Sequence, residues 1–195
     1  FMNGYEKEPN DILISRAKER ILKPAHSGNI YDYEKWAKEV DGVGEVLVEP
    51  LWNGNGTVRV RISNYNNSIA DDELIQKVKN RIEQMDGRPV GANVTVASFD
   101  SKNIEISVRV ILSSGVKLSD VSDLIISKIN QQIKDNSALY TLNNQKILSI
   151  NRVEKIVLSI NGVEDCKVLI NNDIQNTTLN SNEILVVSGV VVNEQ

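Results

Sequence analysis

Several stretches of the chain hold residue types that could do chemistry. Asn53-Gly54-Asn55-Gly56-Thr57 has the glycine content of a loop whose backbone closes around phosphate. It lacks the Lys-Ser or Lys-Thr ending of a P-loop, and the pattern after it is that of a strand, not a helix. A hairpin turn is the expected reading, because Asn-Gly pairs tolerate positive φ. Asp71, Asp72 and Glu73 line up three carboxylates that could hold a metal or act as acid and base. The first turn of a helix attracts the same residues through its dipole, and that reading is preferred. His26 beside Ser27 has no assignable third member of a triad and is expected in a solvated loop. Cys166 falls at an apolar strand position, which fits a small buried hydrophobe better than a nucleophile. Asp41, Asp100 and Asp120 have no visible partner. No catalytic residue, metal site or cofactor site is expected, so the chain is read as a non-enzyme.

Binding surfaces are the alternative. Trp36 lies on an apolar helical stripe and is expected in the core. Trp52 lies at a strand end, where an exposed Trp can anchor an interface. Arg59 and Arg61 share the polar face of a strand. Trp52, Arg59 and Arg61 are therefore the interface candidates. The two tryptophans could instead form a sugar-stacking platform, which would make the protein a carbohydrate- or peptidoglycan-binding module.

The elements that must position these residues are legible in the apolar periodicity. A helix is expected over residues 10–22, ended by Pro24. A second follows Asn29 as N-cap, with Tyr33, Trp36, Ala37 and Val40 on one face and Gly42 as its stop. Strands are expected at 43–49 and 57–63, the latter with Val58, Val60 and Ile62 opposite Arg59 and Arg61. A third helix carries Leu74, Ile75, Val78, Ile82 and Met85, with Ser68 as cap and Gly87 and Pro89 as stop. A strand at 92–98, a polar link at 99–103 and a strand at 104–112 follow. The second half reads as a helix through Leu118, Val121, Ile125, Ile129 and Ile133, then a polar loop over 135–146. A helix capped by Ser149 follows, then strands near 163–170 and 183–192 about a polar loop over 171–182. Val40-Asp41-Gly42-Val43 corresponds to Ile160-Asn161-Gly162-Val163, which raises an internal duplication.

The fold class expected is α+β. Two small domains, 1–98 and 99–195, would each pack helices on a mainly antiparallel sheet. The 195 residues suffice for two such cores, and with 41% hydrophobic but only 5% aromatic residues these must be built from Val, Ile and Leu. A net charge of −4 argues against broad charge-driven nucleic-acid binding. Cys166 is the single cysteine, so no internal disulfide can form. No apolar run is long enough for a membrane span. Phe1 standing before Met2 leads to the expectation of a fragment of a longer protein.

Three pieces resemble the baseplate J-like family of contractile phage tails and phage-derived injection machines. They are Gly28-Asn29 through Gly42-Val43 with Tyr33 and Trp36, Pro50-Leu51-Trp52-Asn53-Gly54-Asn55-Gly56-Thr57-Val58, and Arg88-Pro89-Val90 followed by Ala92, Val94 and Val96. They cover about residues 28–98; the rest matches only in its pattern of elements, and the 171–182 loop has no counterpart. The resemblance implies a structural wedge subunit in the baseplate of a virion tail or phage-derived particle, put together in the bacterial cytoplasm. It implies other wedge and hub proteins as partners, with self-association in the full-length protein. It gives no reason to expect nucleic acid or membrane as a partner.

Overall fold

The computed structural model describes residues 28–194 apart from 86–88 and 144, together with Asn10, Leu13, Ile14 and Lys18. The helix expected over 10–22 lies mostly outside the described residues, as do His26 and the stop expected at Gly87. Four helices and nine strands follow one another as α1 (Ile30–Lys38), β1 (Val43–Pro50), β2 (Thr57–Asn64), α2 (Asp72–Glu83), β3 (Asn93–Ser98), β4 (Asp100–Leu112), α3 (Leu118–Lys134), β5 (Leu139–Leu142), β6 (Gln145–Leu148), α4 (Ile150–Leu158), β7 (Val163–Ile170), β8 (Thr177–Leu179) and β9 (Glu183–Glu194) among the described residues. This is an α+β fold with three small sheets, ordered β1-β2-β3, β7-β4-β9 and β5-β6-β8. Most pairings are antiparallel. β2 with β3 and β4 with β9 are the parallel ones, and each needs an intervening crossover.

The buried residues fall into two clusters. One joins Tyr33, Trp36 and Ala37 of α1, Leu74, Val78 and Ile82 of α2, and Val48, Val60 and Ile62 of the first sheet. Tyr33 and Trp36 meet edge to face, with ring centroids 5.2 Å apart. The other joins Val121, Ile125, Ile129 and Ile133 of α3 and Val153 and Val157 of α4 to Ile104, Ile106, Val108 and Val110 of β4. These are the stripes that three- and four-residue spacing in helices and two-residue spacing in strands place on one face.

Asn29 caps α1 as the spacing predicts: its side chain accepts from the Asp32 amide while Asp32 accepts from the Asn29 amide. Ser149 caps α4 with a single bond, its side chain accepting from the Arg152 amide. α2 departs from expectation. Its cap is Asp71, which accepts from the Leu74 amide at 2.8 Å, and not Ser68. The chain stays extended past Ser68 because Ile69 bridges Ser63 and the Ala70 amide donates to Ser98 Oγ. Asp72 and Glu73 then fill the first turn.

Three segments expected as loops are strands. Asp100 to Asn103 open β4 because they pair with residues 183–186, leaving only Phe99, itself buried, between β3 and β4. The 135–146 stretch contains the hairpin β5–β6, and the 171–182 stretch contains β8, which pairs with β6. These strands are three or four residues long, too short to display a period.

The helix–strand unit α1–β1 recurs as α4–β7 with identical lengths 120 residues on. Gly42 and Gly162, at φ 97° and 95°, turn each helix into its strand. Each edge strand runs antiparallel to a central strand, β2 or β4, which pairs in parallel with the opposite edge. The central strand follows its helix–strand unit in the first half and precedes it in the second. The correspondence lies in local units and sheet pairing, not in a repeated chain order.

Candidate interface surfaces

The β1–β2 register sets Glu49 opposite Arg59, on the face of the sheet turned away from the helices. Glu49 accepts from Arg59 at 2.5 and 3.0 Å and from Arg61 Nε at 2.9 Å. Arg61 Nη1 also donates to the Ser98 carbonyl and the Asp100 carboxylate, both at 3.0 Å. Two carboxylates and a carbonyl thus offset the cost of burying the Arg61 cation, which is only 6% exposed. The Arg59 hydrogen bond, followed by those of Arg61 and their positive charges, holds the Glu49 carboxyl below its ordinary range against the opposing effect of burial.

The geometry separates the three interface candidates. Arg61, expected with Arg59 on a charged strand face, lies on that face but is covered there and ties strands together. Periodicity assigned its face correctly but could not reveal that Glu49 and Asp100 cover it. Trp52 is 39% exposed, and Arg59 lies over its ring at 4.6 Å from the centroid. A guanidinium on the indole takes up a face that sugar stacking would need, and Trp52 lines neither cleft described below. Trp36 is packed in the core.

A cleft of about 490 Å³ lies between the two clusters, with Ile69 on one side and Leu139, Leu179 and Ile184 on the other. Polar ties cross it. Glu45 accepts from Asn136 at 3.0 Å and from the Lys146 ammonium, and Asn67 donates to the Lys134 carbonyl at 2.7 Å. Away from the cleft, Asn182 donates to Asp100 at 2.6 Å. Asp100 therefore has two partners, and Asp120 accepts from the Lys117 amide at 3.2 Å. Sequence inspection showed neither set.

The Asn53–Gly56 segment is a turn closed on itself. The Leu51 amide donates to the Thr57 carbonyl, Gly54 to Leu51 and Thr57 to Gly54, while the Asn53 amide donates to Thr57 Oγ1. Those donors are consumed internally instead of converging on a ligand. Cys166 is half-buried, and its thiol is pushed up to about 11, by burial first and then by Glu154 and Asp165. It is a thiol, not a thiolate, at neutral pH. Among the described residues no group of three His, Cys, Asp or Glu side chains could hold a metal, and no helix is long and apolar enough to cross a membrane.

Fold and surfaces define a two-core α+β building block in which Glu49, Arg59 and Arg61 of the first sheet hold strands together. The resemblance to the baseplate J-like family holds in the comparison with known families: residues 25–98 match the Baseplate J-like central domain, the match ending with β3. Over nearly its whole length the chain is similar to two Bacillus subtilis (strain 168) proteins. It is 35% identical to YqbT and 33% identical to the phage-like element PBSX protein XkdT, in each case over 98% of this chain and 56% of the relative. It is 28% identical to the baseplate protein gp47 of Escherichia phage Mu, over 90% of this chain and 49% of gp47. The chain spans about half the length of the curated relatives it matches. A chain in the six-fold symmetrised cryo-EM structure of the anti-feeding prophage baseplate shares the fold, with a TM-score of 0.58 at 10% identity over 95% of this chain and 43% of that one.

Proposed function

We propose that this chain is part of a structural subunit of a contractile-tail baseplate, a wedge component of a phage or phage-derived particle, that acts by protein–protein contact and not by catalysis. The observation that carries this reading is similarity over nine-tenths of the chain to the Mu baseplate protein gp47. Neighbouring wedge and hub proteins are the partners, with self-association available to the full-length protein, and assembly takes place in the bacterial cytoplasm. Exposed Trp52, stiffened by Arg59, is the contact residue this reading favours. Assembly tolerates individually weak contacts, because a subunit held at several points gains effective concentration at each.

The test is made in the producing bacterium with the full-length protein carrying an epitope tag. Particles purified from the culture should contain the tagged subunit at the baseplate end by immunogold labelling, and deletion of the gene should yield tails without baseplates. Complete baseplates in the deletion strain, or specific stoichiometric turnover of a cell-wall substrate by the purified protein, would overturn the reading.

A further inference from the structure

In the first half of the chain Lys38, Arg59, Arg61, Lys77 and Arg81 each face a carboxylate. The groove between α3 and α4 is different. It encloses about 530 Å³ and presents Lys128, Arg152 and Lys155 with no carboxylate in its lining. No ion pair among the described residues engages any of the three. This concentration of cations stands out in a chain of net charge −4.

Helical spacing gathers them. Arg152 and Lys155 recur along one side of α4, with Ser159 at its C-cap, and share the groove with Lys128 and Gln131 of α3. Glu154, between Arg152 and Lys155 in sequence, is directed elsewhere and accepts from the Val168 amide of β7. Asp135 lies outside the groove lining, its carboxylate already accepting from the side-chain amide of Gln131 at 3.0 and 3.1 Å. Two of the cations are already positioned. Arg152 donates to the Ser137 and Leu139 carbonyls and lies over the Tyr140 ring, and Lys128 donates to Ser159 Oγ at 3.4 Å. Groups ordered before binding lose less entropy when a ligand arrives.

We propose that this groove receives an acidic polypeptide segment, one bearing several Asp or Glu side chains, from a neighbouring protein. Charge complementarity selects the occupant, and size narrows it. An open groove leaves a single small anion hydrated and screened by salt. Carboxylates linked along one chain engage several cations at once. The inference deepens the assembly reading by naming the chemistry of one contact, and it rests on that reading only for where the segment comes from.

The full chain is titrated with fluorescein-labelled hexaglutamate at low ionic strength and followed by polarisation, with hexaglutamine, inorganic phosphate and duplex DNA as competitors. Hexaglutamate should bind and hexaglutamine should not compete. Lys128→Gln combined with Lys155→Gln should weaken binding by about tenfold or more with no change in thermal unfolding, while Lys128→Arg with Lys155→Arg should preserve it. No binding by the wild type, undiminished binding by the double Gln variant, or equal competition by phosphate or DNA at matched charge would overturn the proposal. The double Gln variant is also introduced into the full-length protein. Particles that still contain the subunit although peptide binding fails remove the groove and leave the assembly reading standing. Peptide binding by a subunit absent from particles removes the assembly reading and leaves the groove.

Discussion

The guanidinium of Arg61 reaches the Asp100 carboxylate and the Ser98 carbonyl, each at 3.0 Å, so one buried side chain spans the single residue, Phe99, between β3 and β4. Removing Arg61 leaves Glu49 with Arg59 alone and takes a donor from the half-buried Ser98 carbonyl. Arg61→Ala should cost about 2–3 kcal/mol in urea denaturation. Asp100→Asn should cost under about 1 kcal/mol, because the Asp100 side chain is 55% exposed. Equal losses in the two variants would show that Arg61 does no more than a surface pair.

Glu49 gives the same cluster a pH dependence. Its carboxyl titrates lower in the folded chain than its ordinary 4.5, chiefly through the Arg59 hydrogen bond. A depressed carboxyl pKa stabilises the fold above the unfolded pKa, and that contribution disappears as pH falls through the folded value. Thermal unfolding of wild type and Glu49→Gln should therefore differ by a constant amount above about pH 5 and converge below the unfolded pKa. A gap that stays constant down to pH 2 would contradict the assigned shift.

Gly44 sits at an irregularity in the β1–β2 register, where a Cβ would come 2.2 Å from the Asn64 carbonyl oxygen. Ser63 Oγ secures the same place by accepting from the Glu45 amide and donating to the Asn64 carbonyl. Gly44→Ala should destabilise the chain by about 2 kcal/mol or more, since backbone and not a flexible side chain must yield. Gly54 has open space around it, and Gly54→Ala there should cost only about 1 kcal/mol for its positive φ. Chemical denaturation of the pair distinguishes a close approach from a conformational requirement.

Trp52 should matter to assembly more than to folding. Trp52→Ala in the full-length protein should shift unfolding by less than about 1 kcal/mol and reduce incorporation into particles several-fold. Arg59→Glu should reduce both, because it places like charge against Glu49. Quantitative immunoblotting of purified particles measures incorporation. Normal incorporation of a folded Trp52→Ala protein would remove this residue as a contact.

Local order set much of the fold, because it depends on neighbours a few residues apart. The stripe of Tyr33, Trp36 and Ala37, the caps at Asn29 and Ser149, the stop at Gly42 and the alternation of β4 were all legible in the chain, as was the resemblance carried by residues 28–98. Relations between distant residues were decided only in three dimensions. Asp100 to Asn103 look like a polar link until β9 pairs with them, and β5, β6 and β8 are too short for a period, so each shows itself as a strand only through its pairing with a distant segment or a hairpin partner. The same holds for charge. The sequence places Arg61 on a polar strand face, but only the approach of Glu49 and Asp100, 12 and 39 residues away, turns it from a solvated cation into a buried tie. Lys128 and Lys155 have no apparent connection in the sequence; the packing of α3 against α4 puts them in one groove, since a charge's surroundings depend on tertiary contact and not on sequence spacing alone.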